Sequence, residues 1–307
     1  AGVNLVIGTK DRAQIVEMVE QYDRANGVEN HVSDIMKERV FEPLSIQKLA
    51  NRTRAYLKIQ DGCSQYCSYC IIPYARGPIR SREPQEVVAE VKRLAENGFK
   101  EVVLTGIHVA SYGKDRRDTS LLDILKQVHE VEGIERIRFS SIEPNVVTEE
   151  FAQTMAALPK VCDHFHLSLQ SGCDKTLKEM NRKYDTEKYR QAVATLRKYL
   201  PKVALTTDII VGFPGETEED FRESYAFAEE IGFAKIHVFP YSPKRGTPAA
   251  ARKDQLLNAV KSERSHTLIQ LSDRMAADFL ADAVGTDAEV LYERAVGDGI
   301  YEGHTTN

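Results

Sequence analysis

Apolar residues recur along this chain with two alternating periods. Short runs at 55–60 (AYLKIQ), 101–106 (EVVLTG), 134–141, 164–169, 203–211 and 234–240 have the length and the Val, Ile, Leu and Phe content of strands. Between them the spacing widens to three and four, the mark of a helix with one buried face. The clearest helices are 84–97, 186–200 and 217–231. In the first, Val87, Val88, Val91 and Leu94 share a face between a first-turn Pro84 and a terminating Gly98. Thr217 opens the last of the three, with acidic residues in its first turn. Six strand–helix units predict an α/β fold on a parallel sheet. Periodicity leaves open whether that sheet is doubly wound or curled into a barrel.

The flanks follow another rhythm. Val3 to Ile7 reads as a strand, and Asp11 to Asn26 as a helix through Ile15, Val16, Val19 and Tyr22, with Thr9 or Asp11 as cap. One strand and one helix cannot bury their apolar faces alone, so residues 1–50 read as the end of a preceding domain plus an irregular linker. Residues 51–284 form the main domain, closing with a long helical stretch from Asp254 to Val284 that Gly285 ends. Residues 285–307 read as the start of a further small domain, with a strand at Ala288 to Tyr292.

The unusual residues gather where strands end. DGCSQYCSYCIIPYARGPIRSR follows the first strand and holds three of the five cysteines, Cys63, Cys67 and Cys70. The later strands end in Thr105-Gly106-Ile107-His108, Ser141-Ile142-Glu143, Gln170-Ser171-Gly172, Gly212-Phe213-Pro214-Gly215 and Tyr241-Ser242. In parallel α/β architectures that edge binds ligands. Three thiolates from one loop neither complete a tetrahedral zinc site nor fill every iron of a cubane, and an iron left open is a place for chemistry. A structural zinc with a distant fourth ligand such as His108, or thiols that are neighbours by accident, are the competing readings. His164 and His166 alternate on one strand and read as packed or rim residues. Glu143 reads as a ribose acceptor or a solvated loop acid. Gly212 and Gly215 lack the Gly-Lys-Ser/Thr of a phosphate loop and suit close backbone approach to a flat ligand.

Composition narrows the setting. A chain of 307 residues with 42% hydrophobic content can bury a large core, and no apolar run reaches membrane-spanning length. An odd, clustered set of cysteines suits a reducing cytoplasm rather than a disulfide framework. The net charge of −5 argues against a nucleic-acid partner, but local groups argue the other way. Arg76, Arg80 and Arg82 follow the cysteines, Arg52, Arg54 and Lys58 precede them, and Lys244, Arg245, Arg252 and Lys253 follow the sixth strand. Arg76, Arg80, Arg82 and Arg245 are the candidates for RNA contact.

Five blocks now carry a resemblance: AYLKIQDGCSQYCSYCIIPYARGPIRSR, EVVLTGIHVASYG, LSLQSGCDKTLKEMNRKY, TTDIIVGFPGETEEDF and HVFPYSPKRGTPAA. In this order they resemble the blocks of the radical S-adenosylmethionine (SAM) methylthiotransferases, whose signature is C-x3-C-x-aromatic-C. Within that family, IIPYARG and LTGIHVASYG are most similar to the bacterial branch acting on N6-threonylcarbamoyladenosine beside the tRNA anticodon. Sibling branches act on isopentenyladenosine in tRNA or on a ribosomal-protein aspartate. A zinc-bearing RNA-binding module without chemistry is the rival from another class.

The resemblance implies a partial (β/α)6 barrel of the TIM type and a [4Fe–4S] cluster on Cys63, Cys67 and Cys70, its open iron chelated by SAM. It places Tyr69 and the segment Gly212, Phe213 and Gly215 against the adenine of SAM, and makes Thr105, Gly106 and Glu143 candidates for its polar ends. Gln170, Ser171 and Arg182 match family positions near the same pocket. It further implies reductive cleavage of SAM to a deoxyadenosyl radical. The tRNA anticodon loop and an electron-donor protein such as a flavodoxin or ferredoxin would be the partners, and no membrane. The family's second cluster, on three cysteines of a preceding domain, is expected only in a longer parent protein, and the last residues resemble the opening of its β-rich TRAM domain. No residue is singled out as a catalytic acid or base.

Overall fold

The computed structural model describes residues 2–23, 27–44 and 53–307. Six parallel strands carry the main domain: β1 (Arg54–Asp61), β2 (Glu101–Gly106), β3 (Arg136–Phe139), β4 (His164–His166), β5 (Ala204–Val211) and β6 (Lys235–Pro240). β1, β2 and β3 pair side by side, as do β4, β5 and β6. Single bridges from Ile137 to Val161 and from Ile142 to Leu167 join the two triplets. Among the described residues β1 and β6 do not pair, so the sheet curls into a partial barrel open on one side. That resolves the choice periodicity left open.

Alternation along each strand sorts the side chains into two faces. Leu57, Leu104, Phe139, Phe165, Leu205 and Ile236 point outward into one continuous core beneath the helices. Each fully buried aliphatic side chain there stabilises the fold by roughly 1.5–3 kcal/mol. The covering helices are α1 (Pro84–Glu96), α2 (Leu121–His129), α3 (Glu149–Ala157), α4 (Thr186–Tyr199), α5 (Glu218–Ile231) and α6 (Asn258–Asp282). Their starts are written in local chemistry. The side chains of Ser120, Thr148 and Asp185 accept from backbone N–H groups of the first turns of α2, α3 and α4, and Thr217 with Asp220 forms a reciprocal capping box on α5. Among the described residues no helix is long and apolar enough to cross a membrane.

Several boundaries differ from expectation. The strand predicted over 164–169 stops at His166. Beyond it Leu167 pairs only through a single bridge, and Gln170 adopts a left-handed backbone with φ 70°. The predicted helix over 11–26 is a 3-10 turn at Arg12–Gln14 followed by a helix at Ile15–Gln21. Asp11 is left-handed and makes no side-chain cap, while the Thr9 hydroxyl donates to the Ala75 carbonyl. Ile15, Val16 and Val19 are exposed. Part of the linker, including Arg52 and the boundary after residue 50, lies outside the described residues.

The last stretch forms a hairpin, Leu291–Gly297 against Ile300–His304, longer than the predicted strand. It docks on the amino edge of the sheet through three arginines. Arg136 donates to the His304 and Glu289 carbonyls, Arg138 to the Thr305 carbonyl, and Arg54 pairs with Glu293. Glu101, fully buried, bridges Arg54 and Arg138 beneath them.

Candidate active site

The cysteine loop leaves β1 through a backbone that only glycine allows. Gly62 has φ +71°, and a Cβ there would sit 1.8 Å from the Pro78 carbonyl oxygen. The Cys63 amide then donates to the Gly77 carbonyl at 3.0 Å, closing the loop at its far end. Inside it, the Cys70 amide donates to the Cys67 carbonyl, and Ile72–Arg76 forms one short helix. The loop is tied across the barrel mouth. The Ser68 amide and hydroxyl donate to the Met180 and Glu179 carbonyls, Asn181 Nδ2 donates to the Tyr66 carbonyl, and the Ala249 amide donates to the Ser68 carbonyl. Cys67 is buried, and Cys63 and Cys70 are partly so.

A charged network stands beside the thiols. Arg182 Nη1 donates to Cys67 Sγ at 3.2 Å, Nη2 to Glu143 Oε1 at 2.7 Å and Nε to the Tyr184 hydroxyl at 2.9 Å. His108 Nε2 lies 3.1 Å from the other oxygen of Glu143, which Gln65 Nε2 also reaches at 3.2 Å. Burial pulls the Glu143 carboxyl up, but His108 and Arg182 outweigh it and hold the group below the usual carboxylate range. The Tyr69 hydroxyl donates to Gln170 Oε1 at 3.1 Å. The strained left-handed backbone of Gln170 thus aims its side chain at the cysteine loop, where such strain collects in functional sites.

The structure gathers Cys63, Cys67, Cys70, Tyr69, Glu143, Gln170 and Arg182 at the carboxyl edge, and Thr105 and Gly106 end β2 on the same edge. Gly106 lies close against β1: a Cβ there would sit 2.7 Å from Gln60 Oε1. Phe213 is fully buried against Tyr241 and under Arg252, in an apolar cluster against which Tyr69 of the cysteine loop also packs. Gly212 and Gly215 are left-handed, and added Cβ atoms would meet Lys261 and Arg252 of this chain. Ser171 is buried and its hydroxyl accepts from the Cys173 amide, opening the short helix Asp174–Glu179.

The basic run after the cysteines is not an exposed patch. Arg76 makes a two-pronged pair with Asp61, Arg80 and Lys58 pair with the same carboxylate, and Arg82 is buried against Glu90. Arg80 and Arg82 are only 3% and 5% exposed, so their charge is spent within the protein, on Asp61 of β1 and on Glu90 of α1. Arg245 is exposed on the loop after β6. Asp61, Gln65 and Tyr184 belong to the site without having been singled out in the sequence. An acid directly before the cysteine loop with three arginines after it was the available signal for Asp61.

Burial pushes Cys63 up to about 11, with Cys67, Cys70 and Glu143 adding to it, which places the three sulfurs in one another's field. Three cysteines on one loop could each hold a separate iron of a cubane and leave the fourth iron open. A cavity of about 610 Å3 lies elsewhere, toward the amino edge among α4, α5 and α6, and none of these site residues lines it.

Comparison with known proteins agrees with this geometry. Residues 57–228 match the family model of the radical SAM superfamily. The threonylcarbamoyladenosine tRNA methylthiotransferase MtaB of Bacillus subtilis (strain 168) is 44% identical over 311 residues, covering all of this chain and 69% of that protein. The tRNA-2-methylthio-N(6)-dimethylallyladenosine synthase of Thermoanaerobacter sp. (strain X514) is 41% identical, over 95% of this chain and 62% of its own length. This chain thus spans about two thirds of the relatives it matches. Among solved structures, the radical SAM methyltransferase TsrM from Kitasatospora setae, with cobalamin and a [4Fe–4S] cluster bound, shares the fold. Its TM-score is 0.55 at 18% identity, covering 65% of this chain and 36% of that one. A cysteine loop of this spacing at the mouth of a half barrel, on a chain this similar, belongs to the radical SAM methylthiotransferase family.

Proposed function

We propose that the protein of which this chain forms the radical SAM part converts N6-threonylcarbamoyladenosine in tRNA to its 2-methylthio form. The observation that carries the reading is the 44% identity, along the whole chain, to a relative named for that substrate. Cys63, Cys67 and Cys70 would hold the [4Fe–4S] cluster, which when bound supplies the electron that cleaves SAM. Arg182 sets a positive charge 3.2 Å from the Cys67 sulfur. Tyr69, fixed by Gln170, walls the pocket next to the thiols, and Glu143, ionised and half-shared with Arg182, is an acceptor for cofactor hydroxyl or amino groups. Arg245, exposed at the mouth, is the candidate for RNA backbone contact.

Relatives acting on dimethylallyladenosine at 41% identity make the isopentenyl substrate the second reading. The test is to incubate the full-length protein with tRNA carrying each modification, then digest and weigh the nucleosides. Methylthiolation of the threonylcarbamoyl tRNA alone is expected. Reaction of the isopentenyl tRNA alone would transfer the protein to the other branch.

A further inference from the structure

Inside the half barrel the sheet presents a polar wall that the cysteine site does not use. His164 and His166 of β4, Thr206 and Asp208 of β5 and His237 of β6 alternate with core residues and so face inward. His164 Nε2 and His166 Nδ1 both lie 3.1 Å from Thr206 Oγ1, and His166 Nε2 lies 3.2 Å from Asp208 Oδ2. The Thr206 hydroxyl thus stands between two imidazoles. The other ring nitrogen of each, His164 Nδ1 and His166 Nε2, is buried and has no hydrogen-bond partner. Two polar atoms of the wall therefore stay open to a ligand. His237 stacks on His166 at 5.7 Å and is exposed to the open side. Burial, then Arg138, His166, Arg54 and His237, push His164 down to about 4.

We propose that this wall, Asp208–His166–Thr206–His164 with His237 over it, binds the polar substituent on the substrate base and selects it over an apolar one. The inference rests on the proposed tRNA substrate and names the residues that read it. Position supports it. Gln170, which touches the cysteine loop through Tyr69, bridges to Ile209, three residues along β5 from Thr206, so the wall lies about 10 Å further into the barrel. A base with its reacting carbon at the mouth would therefore send a long substituent down toward this wall. Chemistry supports it as well. A threonylcarbamoyl group brings N–H and O–H donors and a carboxylate, partners for the two open imidazole nitrogens and for Asp208. An isopentenyl group would leave those atoms desolvated and unpaired, which discriminates strongly.

The test measures binding of the full chain, cluster reconstituted, to anticodon stem–loops carrying threonylcarbamoyladenosine or isopentenyladenosine, by fluorescence anisotropy. Thr206→Val keeps the shape but removes the hydroxyl between the two histidines, whereas Thr206→Ser keeps it. The wild type should prefer the threonylcarbamoyl RNA, Thr206→Val should lose about tenfold of that preference, and Thr206→Ser should restore it. His237→Ala, at an exposed site, should lower the preference too and serves if the valine variant does not fold, as judged by cluster absorbance. Equal weakening toward both RNAs in both variants, with the preference intact, would overturn the assignment while leaving the substrate standing. A wild type without the preference would overturn the substrate and this assignment together.

Discussion

At Arg182 one guanidinium meets the Cys67 sulfur, the Glu143 carboxylate and the Tyr184 hydroxyl, all within 3.2 Å. Both Arg182 and Glu143 have side chains less than a tenth exposed, so removing the cation strands a buried anion. Arg182→Met should therefore lower stability by about 3 kcal/mol, the low end for breaking a buried pair because His108 and Gln65 still face Glu143. Urea unfolding of the metal-free protein measures this, and a loss below about 1 kcal/mol would show the pair to be dispensable. The cysteines give a sharper outcome. Cys63→Ala, Cys67→Ala or Cys70→Ala should each abolish iron retention and SAM cleavage. Cys162→Ala and Cys173→Ala should not, since both are buried among core residues away from the loop. Reconstituted wild type should hold about four irons, as one cubane, and a value near eight would reveal a second site. The cysteines could be read from the sequence because their ligands are neighbours in it. The Arg182–Glu143 pair could not, because 39 residues and a whole strand–helix unit separate its members. The packing of Phe213 on Tyr241 and of Gly212 against Lys261 was likewise illegible, because those partners lie 28 and 49 residues away.

Strands and helices were legible almost residue by residue wherever one face is buried in the common core. β2 spans the predicted 101–106 and α4 lies within one residue of 186–200. Legibility failed where a partner outside the period decides the backbone. β4 stops early because Leu167 turns to pair with Ile142, and the first helix lacks the core that its apolar spacing promised. The cysteine loop is governed by its ends rather than by propensity. Gly62→Ala would force a methyl group into the Pro78 carbonyl, with no flexible side chain to yield. The variant should unfold the loop or lose its cluster, with iron per chain falling at least tenfold after desalting under anaerobic conditions. Retained brown colour would mean that the loop can leave β1 by another backbone route. A milder control is Thr217→Ala on α5, which should cost about 1 kcal/mol through its lost cap and leave iron content alone.

Across the whole molecule, buried charge collects at both edges of the barrel. The carboxyl edge is held by Asp61 with its three cations, and the amino edge by Glu101 with Arg54 and Arg138. Neither arrangement shows in a net charge of −5. At the amino edge, Arg136 is almost fully buried and makes three bonds to the segment around the terminal hairpin. Arg136→Met should free that hairpin while sparing the barrel, raising amide exchange in 291–304 by ten- to a hundredfold. Unchanged exchange would show that the hairpin is held by other contacts. At the carboxyl edge, Ser68 hydrogen-bonds both the segment after β4 and the one after β6, while the loop that carries it springs from β1. Three separate parts of the barrel thus share one count of residues, and the distance from Gly62 to Gly77 behaves as a fixed gauge. In a library of single-residue insertions and deletions, that interval should be a silent zone with no active survivors, while the turns at the amino edge accept changes in length.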